Sequence, residues 1–255
     1  MIITRLRAAG CVFAEDEARL LAGSARTPDE LDAMVERRVA GLPLEQVLGW
    51  AEFCGLRIEL ERGVFVPRRR TEFLVRQAAA VSRPGAVVVD LCCGSGAIGA
   101  ALAAAVGRIE LYAADVDPVA VRCARRNVAA AGGRVYAGDL DEPLPTALLG
   151  RVDVLVANVP YVPTEEVGLM PPEARDHEPR VALDGGADGL DVARRVVAAA
   201  PRWLAPGGHL FFETSERQAP RAIEAVAAAG LTARAASSAE LAATVVIGRA
   251  PAPGR

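Results

Sequence analysis

At 255 residues and 52 % apolar content, the chain is long enough for one sizeable α/β core with a small appendage, and too apolar to be disordered. A formal net charge of −3 argues against a protein held on nucleic acid by counterion release, so no direct nucleic-acid partner is expected. Five cysteines (Cys11, Cys54, Cys92, Cys93, Cys123) with no CxxC pair, and two distant histidines (His177, His209), argue against a disulfide framework and against a metal site.

Residues 1–50 read as a helical unit. Thr27 suits an N-cap, Pro28 the first helical position, and Glu30 completes a T-x-x-E capping box. Leu31, Met34, Val35 and Val39 then recur at helical spacing. Residues 1–17 lack an apolar signal core, and no stretch has the length of a membrane span. A cytoplasmic location without a membrane partner is expected. Residues 51–70 change period: Leu56, Ile58 and Leu60 alternate with Arg57 and Glu59, Arg62-Gly63 breaks the run, and Val64 and Val66 resume it. That pattern predicts a connecting β-hairpin.

Residues 71–250 alternate between strand and helix. Apolar runs at 86–91, 109–114, 134–137, 152–157, 209–213, 231–235 and 244–247 predict strands. Helical patterns cover 97–105, 118–131, 190–204 and 216–229. The fold class is therefore α/β, with a mainly parallel sheet covered by helices on both faces. Residues 251–255 read as a frayed tail.

The first stretch with chemistry in it is Asp90-Leu91-Cys92-Cys93-Gly94-Ser95-Gly96, a buried strand entering a glycine-bearing turn and then a helix. In doubly wound folds a nucleotide-like ligand sits in that crevice, against free amide donors. Asp115 follows the second strand, where a carboxylate can bond both ribose hydroxyls; the alternative is an ordinary turn and a surface acid. The turn lacks the third glycine of a nicotinamide site, and Asp90 would repel a diphosphate. An acid there suits the cationic aminoacyl group of S-adenosylmethionine. Asp139, after the third strand, is placed to bond the adenine amino group with Leu140 against the ring, or else to cap a helix.

After the fourth strand comes Asn158-Val159-Pro160-Tyr161. An amide or aromatic amine nitrogen is a poor nucleophile because its lone pair is delocalised. Two acceptors, the Asn158 side-chain oxygen and the Val159 carbonyl, can hold both of its N–H groups and stabilise the charge that develops on methylation. Tyr161 can stack on a planar acceptor, and Pro160 stiffens the turn. In isolation the four residues would be only a loop start.

Over nearly its whole length the chain resembles the release-factor glutamine methyltransferase (HemK) family. The resemblance rests on Pro43-Leu44-Glu45-Gln46-Val47-Leu48-Gly49, Val66-Pro67-Arg68 with Thr71-Glu72, the glycine turn, residues 158–161, the run from His177-Glu178-Pro179 through Ala182-Leu183-Asp184-Gly185-Gly186 to Asp188-Gly189-Leu190, and Phe212-Glu213. It implies a seven-stranded Rossmann-like, class I methyltransferase sheet behind a helical substrate-recognition domain, with a protein substrate such as a peptide chain release factor. Four departures mark a divergent relative: Val159 for the family's first motif proline, Cys92 for the first turn glycine, Arg69-Arg70 for the usual proline and acid, and a shorter N-terminal domain. Two other readings remain: an N-methyltransferase of another planar nitrogen, and a cofactor-binding protein without turnover.

Overall fold

The computed structural model describes residues 1–252; the last three residues of the expected tail lie outside that range. Four helices, α1 (Ile2–Ala8), α2 (Ala14–Ser24), α3 (Pro28–Val39) and α4 (Leu44–Leu48), close around an apolar cluster of their own that includes Leu6, Leu21, Met34 and Val35. At the start of α3 the Thr27 hydroxyl accepts the Glu30 N–H at 3.1 Å. The Glu30 carboxylate reaches back to the Arg26 N–H at 2.8 Å, one residue before the position a reciprocal capping box uses. Buried Arg38 on α3 holds Glu17 of α2 through two hydrogen bonds of 2.6 and 3.1 Å.

A hairpin follows, β1 (Trp50–Phe53) against β2 (Leu56–Glu59). Its turn is Cys54-Gly55, with φ of 51° and 73°, so both central residues are left-handed as a tight hairpin loop requires. The expected break at Arg62-Gly63 is instead a bend beyond the hairpin. Val64 and Val66 are not a strand; they are buried in irregular chain against Ala120 and Cys123.

After α5 (Glu72–Ala79) the chain builds one seven-stranded sheet: β3 (Val87–Leu91), β4 (Glu110–Asp115), β5 (Arg134–Ala137), β6 (Val152–Ala157), β7 (Leu204–Thr214), β8 (Thr232–Ser238) and β9 (Ala243–Arg249). The spatial order is β5-β4-β3-β6-β7-β9-β8, parallel except where β9 pairs antiparallel with β7 and β8. The intervening helices are α6 (Ala97–Val106), α7 (Pro118–Asn127), α8 (Pro172–His177), α9 (Asp191–Trp203) and α10 (Ala219–Ala228). The pattern expected to stay helical to residue 131 leaves the α-helix at Asn127 and tightens into a 3₁₀ turn at Ala129–Ala131. Central β3 is buried on both sides: Val87, Val89 and Leu91 face one apolar layer, Val88 the other. Between β3's two neighbours, β4 and β6, the strand order reverses. The crevice beyond their carboxyl ends is where such a sheet binds ligands.

Candidate active site

The chain leaves β3 into the glycine turn. Cys92 has φ of 53°, a left-handed conformation that a side chain strains and a glycine would not. Asp115, at the end of β4, accepts the Gly94 N–H on one carboxylate oxygen at 2.8 Å and the Asp117 N–H on the other at 2.9 Å. Burial raises its pKa, against those amide bonds. Burial also holds the Cys92 thiol far above its usual range, with Asp115 adding to the effect, so it is not a thiolate nucleophile.

A cavity of about 190 Å³ opens above this turn. Cys92, Cys93, Gly94, Ser95, Asp115, Asp139 and Leu140 line one part of it; Asn158, Val159, Pro160 and Tyr161 line another. Two of the residues singled out in the sequence are not on its wall. Asp90 is fully buried beneath the turn, where one oxygen accepts the Gly99 N–H of α6 at 3.0 Å and the other has no partner among the described residues. Burial pushes its carboxyl up to about 7. Gly96 opens α6 with φ of 76°, and a β-carbon there would lie 3.1 Å from Ala124, so its role is packing α6 on α7. Asp139 caps no helix; its carboxylate takes the Arg195 guanidinium at 2.7 Å, and Leu140 beside it is left-handed with φ of 49°.

At the end of β6 the Asn158 side-chain oxygen is buried and has no hydrogen-bond partner among the described residues. Its amide nitrogen only approaches the Thr71 hydroxyl, at 3.5 Å. The Tyr161 hydroxyl donates to Glu213 at 2.9 Å, and Arg70 Nε donates to the same oxygen at 3.0 Å. The Arg70 guanidinium also lies 5.6 Å from the centre of the Tyr161 ring. Burial, reinforced by Glu213, lifts the phenol well above its usual range, so Tyr161 acts as a neutral ring and donor. Glu178 is enclosed: its carboxylate accepts Arg68 on both oxygens at 2.7 Å and the Val66 N–H at 3.1 Å, fixing the irregular connector of the cavity wall.

Thr71, Arg195 and Glu213 therefore belong to the site although sequence reading gave them no role in it, while Arg70, which the sequence put at the expected mouth of the site, does line the cavity. Thr71 and Glu213 lay in stretches that carried the family resemblance, which was the only available signal. Arg195 sits on α9 in no motif at all.

The family description "Methyltransferase small domain" matches residues 56–170. The chain is 42 % identical over 197 residues to the release factor glutamine methyltransferase of Geobacter sulfurreducens, covering 75 % of this chain and 68 % of that one. It is 39 % identical over 193 residues to the 4-amino-L-phenylalanine/4-methylamino-L-phenylalanine methyltransferase of Streptomyces pristinaespiralis, covering 72 % and 65 %. The crystal structure of a methyltransferase from Pyrococcus furiosus aligns with a TM-score of 0.58 at 18 % identity, over 86 % of this chain and 98 % of that one. The seven-stranded sheet is thus the class I methyltransferase fold.

Proposed function

This chain belongs to the release factor glutamine methyltransferase family, and from that premise we propose that it transfers a methyl group from S-adenosylmethionine to the side-chain amide of a glutamine in a protein. The observation that carries the reading is the unpartnered, buried Asn158 oxygen beside the cavity. A buried acceptor left unmade costs stability, so its presence fits a donor brought by a ligand.

The residues present fit the cofactor. Asp115 would take the ribose hydroxyls, Asp139 and Leu140 the adenine, and the backbone of Cys92, Cys93, Gly94 and Ser95 the methionine portion. When bound, S-adenosylmethionine supplies an electrophilic sulfonium methyl. The protein's part is to hold the acceptor: Asn158 Oδ1 and the Val159 carbonyl take its two N–H groups, and Tyr161 carries its plane. Those acceptors strengthen as the nitrogen becomes positive, which is where stabilisation accelerates the reaction. Val159 in place of a proline keeps the carbonyl. Residues 1–50 then serve recognition of the protein substrate, residues 51–70 connect, and residues 71–250 carry the transfer. No described helix is long and apolar enough to cross a membrane, and all five cysteines are free, which supports a cytoplasmic setting.

A second reading, methylation of an aromatic amine on a free amino acid, is favoured by Arg70 over the Tyr161 ring, where its guanidinium would meet the acceptor's carboxylate. Purified protein with methyl-labelled S-adenosylmethionine separates the two. Label on a glutamine of a release factor is the expected result; label on 4-amino-phenylalanine alone would select the second. No transfer to either, with S-adenosylhomocysteine still binding, would leave a cofactor-binding protein without turnover.

A further inference from the structure

The loop from Leu183 to Leu190 and the segment after β7 have no task in the transfer as described, yet both close on the acceptor turn. The Val162 N–H donates to Leu183 O at 3.1 Å, and the Gly185 N–H donates to Val162 O at 2.8 Å. A β-carbon at Gly185 would lie 2.6 Å from the Pro160 carbonyl oxygen, and one at Gly189 would collide with the Tyr161 carbonyl and with the side chain of Gln218. These glycines exist so that the loop can lie flat on the back of the turn.

Gln218, at the start of α10 and 6 % exposed, completes the contact. Its amide nitrogen donates to the Tyr161 carbonyl and to the Asp188 carbonyl, each at 2.9 Å. Its amide oxygen accepts from the Ser215 hydroxyl at 2.6 Å, and from the Ser215 N–H and the Thr214 hydroxyl at 3.2 Å each. Both donors and the acceptor are used, so the amide has one orientation. Tyr161 is consequently gripped at two ends from a single segment: its hydroxyl by Glu213 and its carbonyl by Gln218.

We infer that Gln218 is a positioning residue for methyl transfer, acting through the Tyr161 carbonyl to hold the Asn158 and Val159 acceptors in register with the reacting nitrogen. The inference rests on the proposed methyl transfer. Among the described residues the Gln218 side chain hydrogen-bonds only Thr214, Ser215, Tyr161 and Asp188, none of them assigned to the cofactor, so its effect belongs to the acceptor side.

The test uses the whole chain in three variants. Gln218→Glu keeps the acceptor facing Ser215 and replaces both donors. Gln218→Met removes all polar contacts at similar volume. Ser215→Ala removes the one hydroxyl bond to the amide oxygen and the acceptor of the Gln218 backbone N–H, but spares both side-chain donors. The chain has three tyrosines, Tyr112, Tyr136 and Tyr161, so ¹³C-tyrosine labelling gives three assignable resonances. Gln218→Glu should shift Tyr161 alone. Single-turnover transfer should fall by about 10–100-fold, the scale of a displacement near 1 Å at the reacting atoms. S-adenosylhomocysteine affinity should stay within about two-fold, and Ser215→Ala should transfer within about two-fold of wild type. Gln218→Met should repeat the loss of rate, with a cooperative melt showing that the fold persists. An unmoved Tyr161 resonance, or a rate loss matched by equal loss of S-adenosylhomocysteine binding, would overturn the positioning role. A wild type that transfers to no acceptor would instead refute the proposed function, and the Tyr161 resonance would still decide whether Gln218 holds the turn.

Discussion

Replacing Asn158 with leucine should move stability and activity in opposite directions. In the ligand-free protein the Asn158 oxygen is buried without a partner, and such a group costs about 1–3 kcal/mol. What the side chain gains is small, since its one hydrogen bond among the described residues, to Thr71, sits at 3.5 Å, the outer limit of such a bond. The adjoining cavity of about 190 Å³ leaves room for the larger side chain. Asn158→Leu should therefore stabilise the protein by about 1 kcal/mol, raising Tm by roughly 2–4 °C for a chain of this size. Turnover should fall by about 10²–10³, the cost of deleting one preorganised partner of the transition state, with little change in cofactor affinity. Calorimetric melting of the ligand-free protein and single-turnover methyl transfer measure the two effects. A lower Tm with an unchanged transfer rate would refute the reasoning, because Asn158 would then be an ordinary part of a loop.

Two further outcomes follow from the turn beneath the cavity. Burial raises the Asp90 carboxyl from 3.8 to about 7, so the fold favours the neutral acid: its contribution is intact below about pH 4 and is lost as pH rises through about 7. Relative to wild type, Asp90→Asn should gain Tm as pH rises from 5 to about 7 and level off above it, and a pH-independent difference in melting would show that Asp90 ionises normally. Asp115→Ala should weaken S-adenosylhomocysteine binding by roughly 1–3 kcal/mol in titration calorimetry, and NAD should not bind either protein; wild-type affinity in the variant would remove Asp115 from the ribose.

All seven sheet strands were legible, because each is an apolar run set off by helical patterns or glycine turns. The place of Asn158 to Tyr161 on the cavity wall was legible too, since they directly follow a buried strand. The hairpin turn was not. Cys54 adopts the left-handed region without being glycine, asparagine or aspartate, so Arg62-Gly63 offered a stronger but false signal. Asp90 was misplaced for a different reason. An acid at a strand end reads as facing a ligand, and only the packing of α6 shows that it faces the Gly99 amide. The partners of Tyr161 were invisible because they are set by tertiary structure: Glu213 lies 52 positions away and Gln218 57 positions away. No local pattern encodes such a pair.

The polar ties between the N-terminal helices and the far end of the chain restrict how this protein can be recombined. Arg38 reaches Glu173 at 2.7 Å. Gln46 accepts the Gly63 N–H, donates to Val64 O, and approaches His177 O across 131 positions of sequence. A crossover placed after residue 70 would look clean on paper, since it falls between the hairpin and the sheet. It would nonetheless exchange Arg38 and Gln46 while leaving Glu173 and His177 behind, splitting the two ties that cross that boundary. Chimeras of this family should therefore tolerate exchange of the helical segment only when the 173–178 stretch travels with it, so two distant blocks of sequence are inherited as one.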